Sequence, residues 1–447
     1  MSDRGDGVVG GPVTFPGYPP GPPAARHLLE QLRGLDDLRR DLLGTVAQRF
    51  ATYGDFYYNE APNADMYSVC HPDLIHEVLV TQARAFRKRT TDLELLGNGL
   101  LTSDGEHWRR QRRRIQPGFR HDSIQRYAKL IAEEAESLVQ GLGDGAVVDL
   151  RREMMQLTLS IVCRALFGQQ FAGRQARLSR AMGVLQELVL QPKLLPRWLP
   201  TPGNLLRRHM VAEVDREVFP IIDRGGEPGS LLAELIAMTD AEGAMTREQL
   251  RDEVVTLFLA GHETTALALT WTFYQLALHP QIDAELSDEV RRAPADLARA
   301  ELSQLPLAER VLSEALRLYP PAYVIPRVCA EPLELGGYRL QPGAEVWLWV
   351  YFLHHDGRWF AEPERFRPER FLPEAEAARR ANTFIPFGAG SRACVGRHFA
   401  ILEAVLSMAA LLRRFKLTLV SPRVVRLHPR ITLAPARPIQ VRLEARR

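Results

Sequence analysis

Cys394 lies in a glycine-rich run: Phe387, Gly388, Ala389, Gly390, Ser391, Arg392, Ala393, Cys394, Val395 and Gly396. Thiolate is the form of cysteine that binds metals. Backbone N–H groups and a nearby arginine hold a thiol deprotonated. Glycines at 388, 390 and 396 permit backbone angles that a side chain forbids, so the chain can wrap closely round the sulfur. A helical pattern begins near Arg397. Thiolate-ligated haem iron is the centre such a loop would build. Taken alone, the same cysteine also reads as a buried thiol in a structural turn, since free cysteine often packs as a small hydrophobe.

Three other groupings could do chemistry. Glu314 and Arg317 are three apart in a helical pattern and share a face. In isolation that is an exposed helix pair worth about 0.3 kcal/mol. Ala260, Gly261, His262, Glu263, Thr264 and Thr265 fall in the middle of a long apolar helix. Glycine there costs about 1 kcal/mol against alanine, and two β-branched threonines add to the cost. A local rule broken inside a good helix marks a functional position, and Gly261 would let the helix widen or kink to admit a small molecule. The alternative is a Thr264 hydroxyl bonded back to a helix carbonyl beside a solvated Glu263. Trp108 and Arg112 are four apart and share a face in the basic run Trp108 to Arg114. The indole N–H only donates, and arginine forks onto carboxylates. The other arginines form either a solvated face or a docking surface for an acidic partner.

These residues need elements to hold them. The strongest helical pattern runs from Thr246 to His279, and at 1.5 Å per residue it spans roughly 50 Å. His262 and Glu263 interrupt it, which argues against a membrane span. Met66 to Val80 reads as a strand, a turn at His71-Pro72-Asp73, then a helix. Phe86 to Asp104, with glycines at 97 and 99, reads as a long loop. Trp108 to Arg114 opens the next helix, and Ile131 to Gln170 reads as mostly helical. Prolines 192, 196, 200 and 202 break the helix between Gln191 and Gly203; that stretch is either a joint between helices or a mobile lid. Pro320 to Val350 reads as short strands and turns, Asp356 to Pro373 as a loop, and the segment from Leu427 as short strands.

The 447 residues show no internal repeat and no composition break. Residues 1–23 are rich in glycine and proline and read as a polyproline-like surface lead-in; residues 24–447 read as one domain. The N-terminus lacks a basic start and an apolar stretch, so neither a signal peptide nor a membrane anchor is expected. A net charge of +3 gives no reason to expect nucleic acid. Cys70, Cys163, Cys329 and Cys394 are far apart with no CxxC pair, which argues against a disulfide framework or structural zinc and for a reducing compartment.

Together these motifs resemble the cytochrome P450 family. Phe387, Gly390, Arg392, Cys394 and Gly396 match its haem-binding signature. Glu314 to Arg317 matches its ExxR helix, and Phe366 to Phe371 its PERF loop. Ala260 to Thr265 matches its oxygen-activation motif, and Trp108 with Arg112 its WxxxR pattern. The resemblance implies the family fold, mainly α with a smaller β-rich part, and a haem b (iron protoporphyrin IX) cofactor. It makes Cys394 the axial iron ligand, with Phe387 packed by the sulfur and Gly388 and Gly396 shaping the loop. Trp108, Arg112, Arg327 and Arg392 would meet the propionates, and Ala260 and Gly261 would border the haem. Glu314, Arg317 and Arg370 would form a structural charge network behind the cofactor. Thr264 and Glu263 would deliver protons during oxygen activation. Leu257, Ala260, Thr265, Ala322, Tyr323 and Val324 would line the substrate pocket, with Leu93 to Leu101 closing it.

The implied activity is monooxygenation of a hydrophobic small molecule of the fatty acid, terpenoid, steroid or polyketide class. Electrons would come from a separate ferredoxin or flavodoxin with an NAD(P)H-dependent reductase. A cytoplasmic monomer is expected. The alternatives are a peroxygenase driven by hydrogen peroxide, disfavoured because Glu263 and Thr264 are both retained, and a haem-binding sensor without turnover.

Overall fold

The aromatic run Phe56-Tyr57-Tyr58 and the segment around Tyr67 make a hairpin, β1 (Phe56–Ala61) and β2 (Ala64–Val69), with Tyr58 paired to Tyr67. This computed structural model describes residues 17–23, 36–61, 64–89, 97–168, 175–189, 199–240 and 243–446. They divide into two compact units, one within 1–89, 322–364 and 379–393, the other within 90–321, 365–378 and 394–447.

The first unit is built on a five-stranded sheet. The hairpin is joined by β3 (Phe86–Lys88), β4 (Ile325–Cys329) and β5 (Glu345–Leu348), in the order β1-β2-β5-β4-β3. All pairings are antiparallel except β5 with β2. Val69, Val346 and Leu348 are fully buried beneath it. Phe86 to Lys88 therefore departs from the loop expected over Phe86–Asp104. Its partner strand lies more than 230 residues away, beyond the reach of a local pattern. The proline-rich lead-in is not a free surface strip either. Tyr58 N–H donates to Pro20 O at 3.1 Å, Pro19 and Gly21 are buried, and the Tyr18 ring lies 4.4 Å from that of Tyr58. After β2, His71 caps a short helix, Pro72–His76, which continues as a π-helical turn, Glu77–Thr81.

The second unit is helical: α1 (Gly105–Ile115), α2 (His121–Gly141), α3 (Leu150–Phe167), α4 (Pro202–Asp223), α5 (Arg247–Leu278), α6 (Pro306–Leu318) and α7 (Arg397–Arg414) are its main elements. A three-stranded sheet pairs Gln440–Ala445 with Phe415–Leu419 on one side and Val147–Asp149 on the other. That last strand and the turn before it separate the two helices that make Ile131–Gln170 mostly helical, as expected; Gly143 and Gly145 sit in the break, Gly145 at φ +74. Thr246 and His279 are the caps of α5. Thr246 and Gln249 close a capping box, satisfying two backbone donors that the helix leaves open. Most of α5 is apolar and buried against α3 and its other neighbours, apart from the stretch 260–264. Val254, Phe258, Leu267 and Phe273 are fully buried, each worth about 1.5–3 kcal/mol of apolar transfer. No helix among the described residues is long and apolar enough to cross a membrane. Of the stretch Gln191–Gly203, residues 191–198 lie outside the described residues; Thr201 caps α4, with Pro202 in its first turn.

Candidate active site

The cysteine loop is shaped by its glycines. Gly388 and Gly390 adopt φ +70 and +69, a region closed to ordinary side chains. At Gly390 a Cβ would stand 2.1 Å from the carbonyl oxygen of Leu79, so the turn seats directly on the π-helical segment. Upstream, Ile385 N–H donates to Nε2 of the fully buried His354 at 3.0 Å, which fixes that nitrogen as the acceptor. Gly388 N–H then returns to Ile385 O at 3.0 Å. His354 was not singled out from the sequence.

Cys70, Cys163 and Cys329 are buried, and burial pushes all three thiols up. Cys394 differs: it is exposed, just before α7. Arg112 on α1 is half-buried. Burial pulls its guanidinium below the usual value, and the charge of Cys394 works against that pull. An accessible thiol with a guanidinium close by is the donor chemistry of a thiolate ligand to iron, and it fits a cofactor carrying carboxylates. Trp108, one turn before Arg112, packs into the helical core with Ile115 and Leu257.

α5 supplies the second half of the fit. From Leu250 to Leu276 most positions are buried, but Ala260 is exposed and Gly261, Glu263 and Thr264 are half-buried. A small exposed residue in the middle of a core helix leaves accessible surface against which a flat ligand can lie. Thr264 Oγ1 donates to Ala260 O at 2.8 Å, the back-bonded alternative raised by the sequence, and Thr265 Oγ1 donates to Gly261 O at 3.2 Å. Glu263 is not simply solvated. Thr432 Oγ1 donates to its Oε1 at 3.0 Å. His262 points into the core, its Nδ1 2.9 Å from Phe258 O, and burial lowers its pKa. The helix runs unbroken through Gly261. The glycine serves close packing, because a Cβ there would stand 2.9 Å from Val162 Cγ2 on α3.

Glu314 and Arg317 are completely buried on α6. Arg317 Nε donates to Glu314 Oε2 at 2.7 Å and Nη2 to Oε1 at 2.8 Å. Oε1 also accepts from Arg367 N–H at 2.9 Å and Arg370 Nε at 3.2 Å, and burial lowers the Arg370 pKa. Arg327, on β4 opposite Val346, is also buried. Phe387 and Arg392 are half-buried in the cysteine loop. Of the residues expected to face substrate, Ala322 is exposed and Val324 half-buried, whereas Leu257, Thr265 and Tyr323 are buried. In the closing segment, residues 93–96 lie outside the described residues; Leu100 packs in the same core as Leu257.

Glu403 is a further acid that sequence reasoning passed over. It lies nine residues after Cys394, fully buried in α7, with the Thr265 hydroxyl beside it, and burial raises its pKa well above the usual value. The signal was an acid inside the apolar run Ile401, Leu402, Ala404, Val405.

Comparison with known proteins identifies the family. The sequence model described as Cytochrome P450 matches residues 19–443. Cyclooctatin synthase of Streptomyces melanosporofaciens is 35% identical over 399 residues, covering 85% of this chain and 87% of that protein. Pentalenene oxygenase of Streptomyces avermitilis is 31% identical over 413 residues, covering 89% of this chain and 91% of that protein. The crystal structure of the cytochrome P450DA heme domain superposes with a TM-score of 0.79 at 25% identity, covering 93% of both chains. With a family match across nearly the whole sequence and an exposed cysteine in the signature loop, the chain belongs to the cytochrome P450 family and is a monooxygenase of that family.

Proposed function

We propose that this enzyme holds haem b and inserts one oxygen atom from O2 into a terpenoid-like small molecule, with electrons from a ferredoxin or flavodoxin and its NAD(P)H-dependent reductase. The observation that carries the reading is the single exposed thiol, Cys394, within the electrostatic reach of Arg112. The substrate class rests on relatives named cyclooctatin synthase and pentalenene oxygenase.

When bound, the haem supplies oxygen activation and C–H oxidation, and thiolate donation favours O–O cleavage. The chain's own residues do the rest. Cys394 holds the iron, with Phe387 shielding the sulfur and Gly388 and Gly396 shaping the loop. Arg112, Arg327, Arg392 and the Trp108 indole N–H are the donors for propionate carboxylates. Ala260 and Gly261 present a bare stretch of helix to the cofactor. Thr264, which donates to Ala260 O, would be the hydroxyl free to turn toward the oxygen substrate once haem is held, and Glu263, steadied by Thr432, would pass protons inward. Glu314, Arg317 and Arg370 hold their segments rigid and take no part in bond making. Leu257, Ala260 and Thr265 on α5, and Ala322, Tyr323 and Val324 after Pro321, are the candidate substrate-facing residues. The family match over 19–443 supports one functional domain. Four free cysteines support a reducing, cytoplasmic setting, and we take the enzyme to act as a monomer.

The test has two parts. Cys394→Ser should abolish the thiolate-type spectrum of the reduced carbon monoxide complex. A screen of terpenoid hydrocarbons against the ferric enzyme should find compounds that shift it from low to high spin. A parent protein that takes up no haem would overturn the reading. A high-spin shift with fatty acids alone would overturn the substrate class.

A further inference from the structure

Two adjacent acids near the start of α5 grip the backbone of the segment Gly97–Ser103. Asp252 Oδ2 accepts from Asn98 N–H at 2.7 Å, and Glu253 Oε2 accepts from Leu100 N–H at 2.9 Å. Two glycines allow this close approach. A Cβ on Gly99 would stand 2.6 Å from the carbonyl oxygen of Asp252 and 2.3 Å from Thr256 Oγ1; one on Gly97, which sits at φ +82, would stand 1.9 Å from Asp252 Oδ1. Within the segment, Thr102 Oγ1 lies 2.7 Å from Gly97 O, and His107 Nε2 lies 3.0 Å from Asn98 O. The first acid is itself held. Buried Arg251 reaches Asp252 Oδ1 at 3.0 Å and Asp215 of α4 at 2.7 Å.

Glu253 is completely buried, and its Oε1 makes no well-formed hydrogen bond among the described residues. The buried Gln111 amide of α1 is the polar group that faces it. A buried carboxylate with one oxygen left over is a costly way to fix a loop, since apolar packing would do it more cheaply. What side-chain acceptors offer is a hold on single amides that can be released without disturbing the helix behind them. Leu100, carried by this segment, packs in the same core as Leu257 and Trp108.

We propose that Asp252 and Glu253 are positioning residues for substrate admission: they latch residues 97–103 onto α5 and so set how readily the pocket opens. This rests on the reading that Leu93–Leu101 closes that pocket.

The experiment uses the haem-loaded enzyme with phenylimidazole as the probe. It measures amide hydrogen exchange at Asn98 and Leu100 together with the release rate of the probe. Asp252→Ala and Glu253→Leu should each speed exchange and release by about tenfold, the effect of losing one hydrogen bond. Asp252→Asn and Glu253→Gln keep an oxygen to accept the amide and should stay close to the parent, a rescue that mere destabilisation would not give. Gly99→Ala leaves both acid side chains in place but its methyl would press on the backbone carbonyl of Asp252 and on Thr256 Oγ1, forcing the segment off α5, and it should match Asp252→Ala. Unchanged exchange in both Asp252→Ala and Gly99→Ala would overturn the latch. Faster exchange with unchanged release would overturn its control of admission. Neither result bears on the monooxygenase reading, which fails instead if the parent carries no haem.

Discussion

Arg317 and Glu314 face each other fork to fork with no contact to solvent, at 2.7 and 2.8 Å. Arg317 also reaches Arg365 O at 3.2 Å. Removing one partner strands the other charge in a dry site. Arg317→Met should therefore cost about 3–5 kcal/mol, read from the urea midpoint at constant m-value. A loss below about 1 kcal/mol would mean that Arg370 and the Arg367 amide carry the carboxylate unaided.

Thr432 steadies Glu263 from a segment 169 residues further along the chain. Thr432→Val removes the donor and should lower product formed per electron consumed about three- to tenfold, the effect of roughly one lost hydrogen bond. Thr432→Ser should restore it. Equal coupling in the valine and parent enzymes would remove Thr432 from the proton path.

Thr264→Ala loses only a bond to its own helix and gains helix propensity, so unfolding should shift by less than about 1 kcal/mol. Electrons should nevertheless be diverted to peroxide. Product coupling equal to that of the parent would show that the hydroxyl has no part in proton delivery.

Gly261 and Val162 share one space, with only 2.9 Å available to a new methyl. In Gly261→Ala a helix gain of about 1 kcal/mol opposes an overpacking cost of about 1–3 kcal/mol. Val162→Ala makes room for the methyl. The double variant should accordingly be about 1–2 kcal/mol more stable than the two single changes sum to. Additive behaviour would place the reason for this glycine elsewhere.

Burial pushes the Glu253 carboxyl from its usual 4.5 up to about 7. The folded state therefore keeps its proton where the unfolded chain has already released it. The site costs nothing below pH 4.5. Stability falls as pH rises from there to about 7 and then levels, a loss of at most about 3 kcal/mol. Glu253→Gln should flatten this part of the profile, so its stability relative to the parent should be higher at pH 8 than at pH 5. A constant difference across that range would mean that Glu253 is ionised throughout.

The helix carrying the oxygen motif was legible to within a residue, because its ends are chemical signals: a Thr246–Gln249 capping box at one end and Pro280 after His279 at the other. The cysteine loop was legible because Gly388 and Gly390 occupy positions of positive φ; Gly396 does not, since it caps α7 at φ −87, a conformation open to other residues. What escaped was made by distance in sequence. The strand Phe86–Lys88 exists only through β4. Thr432, His354 and the Asp252–Asn98 bond each join positions that no local pattern connects. Ile131–Gln170 is mostly helical, as its pattern reads, but the short strand Val147–Asp149 within it depends on its distant partner Gln440–Ala445. Gly261 was legible as special, but the cause found, the neighbouring α3, needs a partner that the sequence does not name.

The π-helical turn at Glu77–Thr81 brings Leu79 O against the site where Gly390 lacks a side chain. Such a turn carries one surplus residue compared with a regular helix. Deleting a single position there would tighten the winding and rotate whatever follows by about 100°, swinging that oxygen out from under the glycine. Among natural variants of this chain, indels should accordingly be absent from 77–81 even where they accumulate in neighbouring surface turns. The spacing of an unremarkable peripheral coil is thereby tied to the seat of the turn that leads into the cysteine.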